Sequence, residues 1–335
     1  MRVLAALIPV LVTSWAADCA ADDPNALYRP QVRIEDDPPA FYAVTHYRER
    51  GLPKTAGGFD ADEHGWVESL KTYVANKPLR PTHGRHTVYI CPLGPMDSKM
   101  QRRMRILCTF LEVYLTLPVK IMQAVPIAGR RSRMAKAHGC RVRQYETGHL
   151  KDDVLKPSLP NDALGVLGLT AQDLYSEEVD WDSVASKTFT GRGFAVCSLI
   201  RFFPEPWGHA ATSKSEWEGL GLSLRTVAAA CCGMLGPSPC RKYYCILNQS
   251  RYISTDKPIH LCPDCLRKLR WSLGFDLIER YEALRRFYTR TGMRKEARWV
   301  AKRIAECRAG LAPKKPHQPQ PGHEGSICEP APASD

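Results

Sequence analysis

The chain has 335 residues, 44% of them hydrophobic, and a formal net charge of +12. Length and apolar content suit one large soluble domain or two modest ones, and the scatter of the basic residues assigns the charge to solubility before any nucleic acid. The thirteen cysteines, an odd number, argue against a complete disulfide framework and fit metal thiolates plus free thiols.

Residues 1–20 carry Arg2, an apolar run from Val3 to Trp15 and the small residues Ala16 and Ala17. This pattern is that of a secretory signal peptide and is too short for a comfortable membrane span. Cys19 follows Asp18, an unusual residue before a lipid-anchored cysteine. Secretion stands against the reducing compartment that a zinc–thiolate site prefers, so secreted and cytoplasmic placements stay equally open. Residues 21–85 read as a proline-rich, extended lead-in with one short helix over 66–73, where Trp66, Leu70 and Tyr73 share a face. The main domain is placed at 86–308. Residues 309–335, rich in Pro, Gly and His without periodicity, are expected to be a disordered tail.

Within the domain, alternation over 86–91 predicts a first strand. Met100, Met104, Leu107, Leu111 and Leu115 at helical spacing predict a helix over 98–115, and a second strand follows at 119–122. Residues 130–143, with Arg130, Arg131, Arg133, Lys136, Arg141 and Arg143, read as a solvated basic loop, since no aromatic residues interleave for base stacking. A helix is expected over 144–159. Residues 163–170, ALGVLGLT, read as a strand buried on both faces. Residues 188–203 suit a strand pair or a bulged edge strand, with Gly191 and Gly193 at the bend. A long apolar helix is expected over 215–235, ended by Gly236, and two more helices over 275–307, divided at Thr291 and Gly292.

The sharpest chemical signal is a pair of cysteine motifs. Cys240 and Cys245 form C-x4-C, and Cys262 and Cys265 form C-x2-C just before helix-forming residues. Two short cysteine loops on a longer connection can supply the tetrahedral sulfur donors that zinc requires, and a helix N-terminus favours thiolates. Two structural disulfides, or four thiols without metal, would use the same residues. No HExxH occurs in the chain, and lone histidines such as His138, His209, His317 and His323 have no partners at ligand spacing.

With Gly236, this segment resembles the archaemetzincins, zinc metallopeptidases of the metzincin clan, whose motif runs HExxHxxGxxHC, then x4-C-x-Met, then C-x-x-C. The resemblance extends to LRPTHGRHTVYICPLG at the domain start, to Gln144 and Tyr145, and to Asp173, Leu174 and Tyr175, covering about 80–290. It implies an α/β, metzincin-like mixed twisted sheet with a central motif helix and a four-cysteine structural zinc site. It also implies that the HExxH positions fall on Ala229, Ala230, Cys231, Cys232 and Gly233, the third histidine on Pro239 and the Met-turn methionine on Leu247. HExxH sets two histidines one turn apart around a metal, with the glutamate taking a proton from metal-bound water. Alanine, glycine and proline do neither. Adjacent Cys231 and Cys232 point about 100° apart on a helix, so one at most could face a metal there.

The expected protein is therefore a zinc-binding, catalytically inactive pseudopeptidase. It has no catalytic residues, one structural zinc on Cys240, Cys245, Cys262 and Cys265, and no second, catalytic ion. Peptides or a protein partner are expected in a vestigial cleft, because strand addition to an edge strand needs only backbone groups. Nucleic acid and a membrane span are not expected. Two alternatives remain at this level: an active metallopeptidase with unconventional ligands, and a non-enzymatic zinc-binding structural or nucleic-acid-binding module.

Overall fold

The computed structural model describes residues 25–29, 31–43, 67–179, 181–248 and 257–311. The signal-peptide-like segment, Trp66 and nearly all of the expected tail lie outside these residues. Residues 309–311 continue the last helix.

The centre is a five-stranded sheet of order β2-β1-β5-β8-β7, comprising β1 (Thr87–Leu93), β2 (Val119–Ile121), β5 (Ala163–Thr170), β7 (Ser186–Phe189) and β8 (Phe194–Ser198). Four strands run parallel, and β7 pairs antiparallel with β8 at one edge. Both faces are covered, so β5 is buried along its whole length. Its two glycines make room for the layers on either side. A Cβ at Gly165 would meet the Met234 methyl at 3.0 Å, and one at Gly168 would meet Leu93 at 2.7 Å on the opposite face.

One face of the sheet packs on α2 (Ser98–Leu115) and α4 (Ser213–Leu235), through Val88, Ile90, Leu167, Leu169, Leu107, Leu111, Leu224, Val227 and Met234. The other face packs on Ile127, Tyr145, Leu150, Val154 and Leu155. Helices α5 (Pro263–Leu273), α6 (Leu277–Arg290) and α7 (Arg294–Leu311) extend the α2 side, where Phe110 meets Phe287 at a ring separation of 5.3 Å.

Three expectations are corrected. The basic loop is a hairpin: β3 (Ser132–Ala137) pairs with β4 (Cys140–Glu146), which runs parallel to β6 (Asp173–Tyr175) in a second, three-stranded sheet. His138 and Gly139, both at positive φ, make the two-residue turn that matches strand twist. The helix expected over 144–159 shrinks to α3 (Thr147–Leu150) and a π-helical turn (Lys151–Leu155), because Gln144, Tyr145 and Glu146 are spent in β4. The lead-in is not loose where it is described: Phe41 and Tyr42 are buried against α5 and α7, and the Arg303 guanidinium donates to the carbonyls of Ala40 and Phe41, both at 3.0 Å. The short helix α1 spans Leu70–Ala75, capped by Ser69, and buries Tyr73.

Candidate metal centre and adjoining cleft

α4 starts in a capping box between Thr212 and Ser215 and ends at Gly236. Pro237 and Pro239 then prevent the helix from continuing and carry the chain to Cys240. Cys240 and Cys245 lie on a tight loop closed by a buried amide. Asn248 accepts from the Cys245 N–H at 2.8 Å and donates to the carbonyls of Cys240 at 2.7 Å and Tyr243 at 2.8 Å. Cys262 is the N-cap of α5, Pro263 occupies its first position, and Cys265 sits in its first turn, where the helix dipole favours negative charge.

These elements bring the four expected sulfurs together, all buried and all within 4.8 Å of one another. Cys240 Sγ and Cys262 Sγ are 3.7 Å apart. A tetrahedron with zinc–sulfur bonds of about 2.3 Å has edges of about 3.8 Å, so the cluster could hold a zinc ion with little adjustment. The backbone N–H groups of Leu247 and Cys262 point at Cys245 Sγ at 3.5 and 3.3 Å, an arrangement that suits a thiolate. Hydrogen bonds from the Cys245, Cys262 and Cys265 thiols hold Cys240 well below the usual thiol range. Donation to Cys240 pushes Cys262 and Cys265 up. The thiols thus share protons around one favoured anion, and a divalent cation would displace those protons.

A second feature adjoins this centre. A cleft of about 210 Å³ runs between β7, the C-terminal half of α4 and the loop after it. Its wall includes Thr188, Ala229, Ala230, Gly233, Pro239 and Leu247, with Trp181, Lys187 and Lys257 also in the lining. Cys231 and Cys232 lie instead in the apolar core, with no exposure. Burial pushes both thiols up, Cys232 to about 12, so they are neutral and poor ligands. The space beside α4 is itself tight: a Cβ at Gly233 would meet Thr188 Cγ2 at 2.9 Å, and the Gly233 carbonyl accepts from Gly191 at 3.1 Å.

The chain is 32% identical to human archaemetzincin-1 over 252 residues, covering 65% of this chain and 49% of that protein. Rat archaemetzincin-2 is 24% identical over 232 residues, covering 61% and 64% of the two chains. The chain is similar to archaemetzincins over 61–65% of its length. It spans about half the length of the archaemetzincin-1 proteins it matches. No family model matches it. Among solved structures, the archaemetzincin of Archaeoglobus fulgidus, crystallised with malonate, is 22% identical, covering 54% of this chain and 99% of that one, with a TM-score of 0.41. A zinc-dependent peptidase from Methanocorpusculum labreanum is 20% identical, covering 54% and 99%, with a TM-score of 0.41.

Within this α/β fold, mixed sheets, a long central helix and the four-cysteine cluster stand together as expected. Three residues that support the centre escape the sequence reading. Asn248, three residues after Cys245, carries a weak local signal, since asparagine closes turns on its own backbone. Glu68 and Lys268 carry none. Their buried ion pair of 2.9 Å ties the start of α1 to α5, and Ser238 Oγ donates to the same carboxylate at 2.8 Å. His209, read as an isolated surface residue, is exposed. Among the described residues, no helix is long and apolar enough to cross a membrane.

Proposed function

We propose that this chain is a non-hydrolytic archaemetzincin: one structural zinc on Cys240, Cys245, Cys262 and Cys265, and a cleft that binds extended peptide without cutting it. The observation that carries the reading is the cleft wall. Ala229, Ala230, Gly233, Pro239 and Leu247 offer no side-chain donor to a metal or a water. The closeness of Thr188 to Gly233 adds a steric reason, since a ligating side chain at 233 would press on β7.

The peptide reading rests on β7. This edge strand pairs only with β8 in its sheet, and Ser186, Lys187 and Thr188 line the cleft. An extended chain could add there through backbone hydrogen bonds, with apolar side chains directed at the alanine, proline and leucine surface.

The test is incubation of the zinc-loaded full chain with a proteome-derived peptide mixture, with new termini read by mass spectrometry. The expected result is no new terminus that disappears on chelation. Chelator-sensitive cleavage would overturn the inactive reading and favour an enzyme with unconventional ligands.

A further inference from the structure

The β3–β4 hairpin lies outside the cleft and the cysteine centre, and its two faces differ. Ala135, Ala137 and Val142 share one face; Ala137 and Val142 pack with Ile200 and Trp207. The opposite face carries Met134 and Lys136 on β3 and Arg143 and Arg141 on β4. Lys136 stands directly opposite Arg141, and Met134 opposite Arg143. Among the described residues, Lys136, Arg141 and Arg143 make no ion pair; Arg143 donates only to Ser132 Oγ, at 3.2 Å. Met134 is 47% exposed in their midst.

The backbone register sharpens this. The Glu146 N–H bonds the Arg131 carbonyl, so hydrogen-bonded pairs continue at 133/144, 135/142 and 137/140. Lys136 and Arg141 therefore form a non-hydrogen-bonded pair, the closer kind, with Cα atoms about 4.5 Å apart. Like charges directly opposite one another destabilise a hairpin. By the same alternation, Met134 and Lys136 turn their N–H and C=O groups away from β4. β3 is an edge strand, so these groups lie on the open edge of the three-stranded sheet. Among the described residues, an open strand edge at Met134 and Lys136 and an unneutralised cationic face at Lys136, Arg141 and Arg143 thus meet in one hairpin.

We propose that this edge and face bind an extended, acidic segment of a protein partner, which adds as a fourth strand beside β3. Its backbone would bond the N–H and C=O groups of Met134 and Lys136. Carboxylates at alternate positions, about 6.8 Å apart along the strand, would face Lys136, Arg141 and Arg143. The partner is a polypeptide and not a nucleic acid because the exposed face offers a thioether and an open backbone edge but no ring for base stacking.

The test is fluorescence anisotropy on the full chain with a labelled peptide of about ten residues alternating glutamate and valine. Two controls are the same peptide with glutamine for glutamate and a single-stranded oligonucleotide of similar length. Two variants separate charge from edge. Lys136→Glu with Arg141→Glu reverses exposed charges, and Met134→Pro removes an N–H that makes no internal bond among the described residues, so both are expected to stay folded by circular dichroism. The glutamate peptide should bind, weaken at least about tenfold in each variant, and weaken as salt rises. Absence of binding, equal binding of the glutamine peptide, binding untouched by either variant, or hairpin-dependent binding of the oligonucleotide as tight as that of the peptide would each overturn the proposal.

Discussion

At the scale of single residues, the metal centre depends on groups far from it in sequence. Glu68 and Lys268 are both buried, with side-chain exposures of 4% and 6%. Removing one partner of such a pair strands the other charge away from water. Glu68→Gln should therefore cost about 3 kcal/mol in denaturant unfolding. Replacing both partners, Glu68→Leu with Lys268→Met, should recover most of that loss, because a buried pair is worth little more than well-packed apolar groups. The Arg103 cluster gives a pH prediction. Hydrogen bonds from Arg103 hold the Glu216 carboxyl below the usual glutamate range. A depressed carboxyl contributes stability that is present above its unfolded value, about 4.3, and is lost as pH falls through the folded value. Unfolding midpoints should drop more steeply below about pH 4.5 in the parent than in Glu216→Gln. The four cysteines were legible because each pair is local and one begins a helix. Glu68 was illegible because its partner lies 200 residues away.

Elements differ in how openly the sequence states them. α2, α4, α6 and α7 are long enough for helical spacing to show, and β5 shows as an unbroken apolar run. The β3–β4 hairpin did not show, because its inner face mixes the small Ala135 and Ala137 with Arg133 and Gln144 where an ordinary half-buried strand alternates apolar and polar residues, and its turn uses His138 before Gly139. Counted as a cluster of charges, it reads as a loop; paired, its alternation is plain. The helix over 144–159 failed for the complementary reason: Gln144 and Glu146 favour helix in isolation, but Gln144 is tied to Asp173 of β6 at 2.8 Å. In α4, two glycines two residues apart should respond in opposite ways. A Cβ at Gly219 would meet the Phe202 carbonyl oxygen at 2.4 Å and the Phe203 ring at 2.6 Å, so Gly219→Ala should destabilise by about 1–3 kcal/mol. At Gly221 the nearest atom is the Arg225 guanidinium at 2.9 Å, the far end of a flexible side chain. Gly221→Ala should leave stability unchanged or raise it by up to about 1 kcal/mol. Thermal unfolding of the two variants decides the comparison.

Across the whole molecule, the cysteine centre joins the end of α4 to the start of α5. Cys240 follows the central helix, Cys262 and Cys265 begin α5, and α5 packs on α1 and the buried segment around Phe41 and Tyr42. A metal in this place would fasten the sheet to the C-terminal helices, a structural task that survives whatever happens in the cleft. The cleft beside it is lined at positions 229, 230, 233, 239 and 247 by alanine, glycine, proline and leucine. One fold thus sets a four-cysteine cluster that could hold zinc beside a cleft lined, among the described residues, by no histidine, cysteine, aspartate or glutamate. Elemental analysis of the purified full chain, with Cys262→Ser in parallel, tests that separation most directly. One zinc per chain is expected in the parent, with none in the variant. Two zinc ions per chain, or one that survives the loss of Cys262, would contradict this separation and place a metal in the cleft after all.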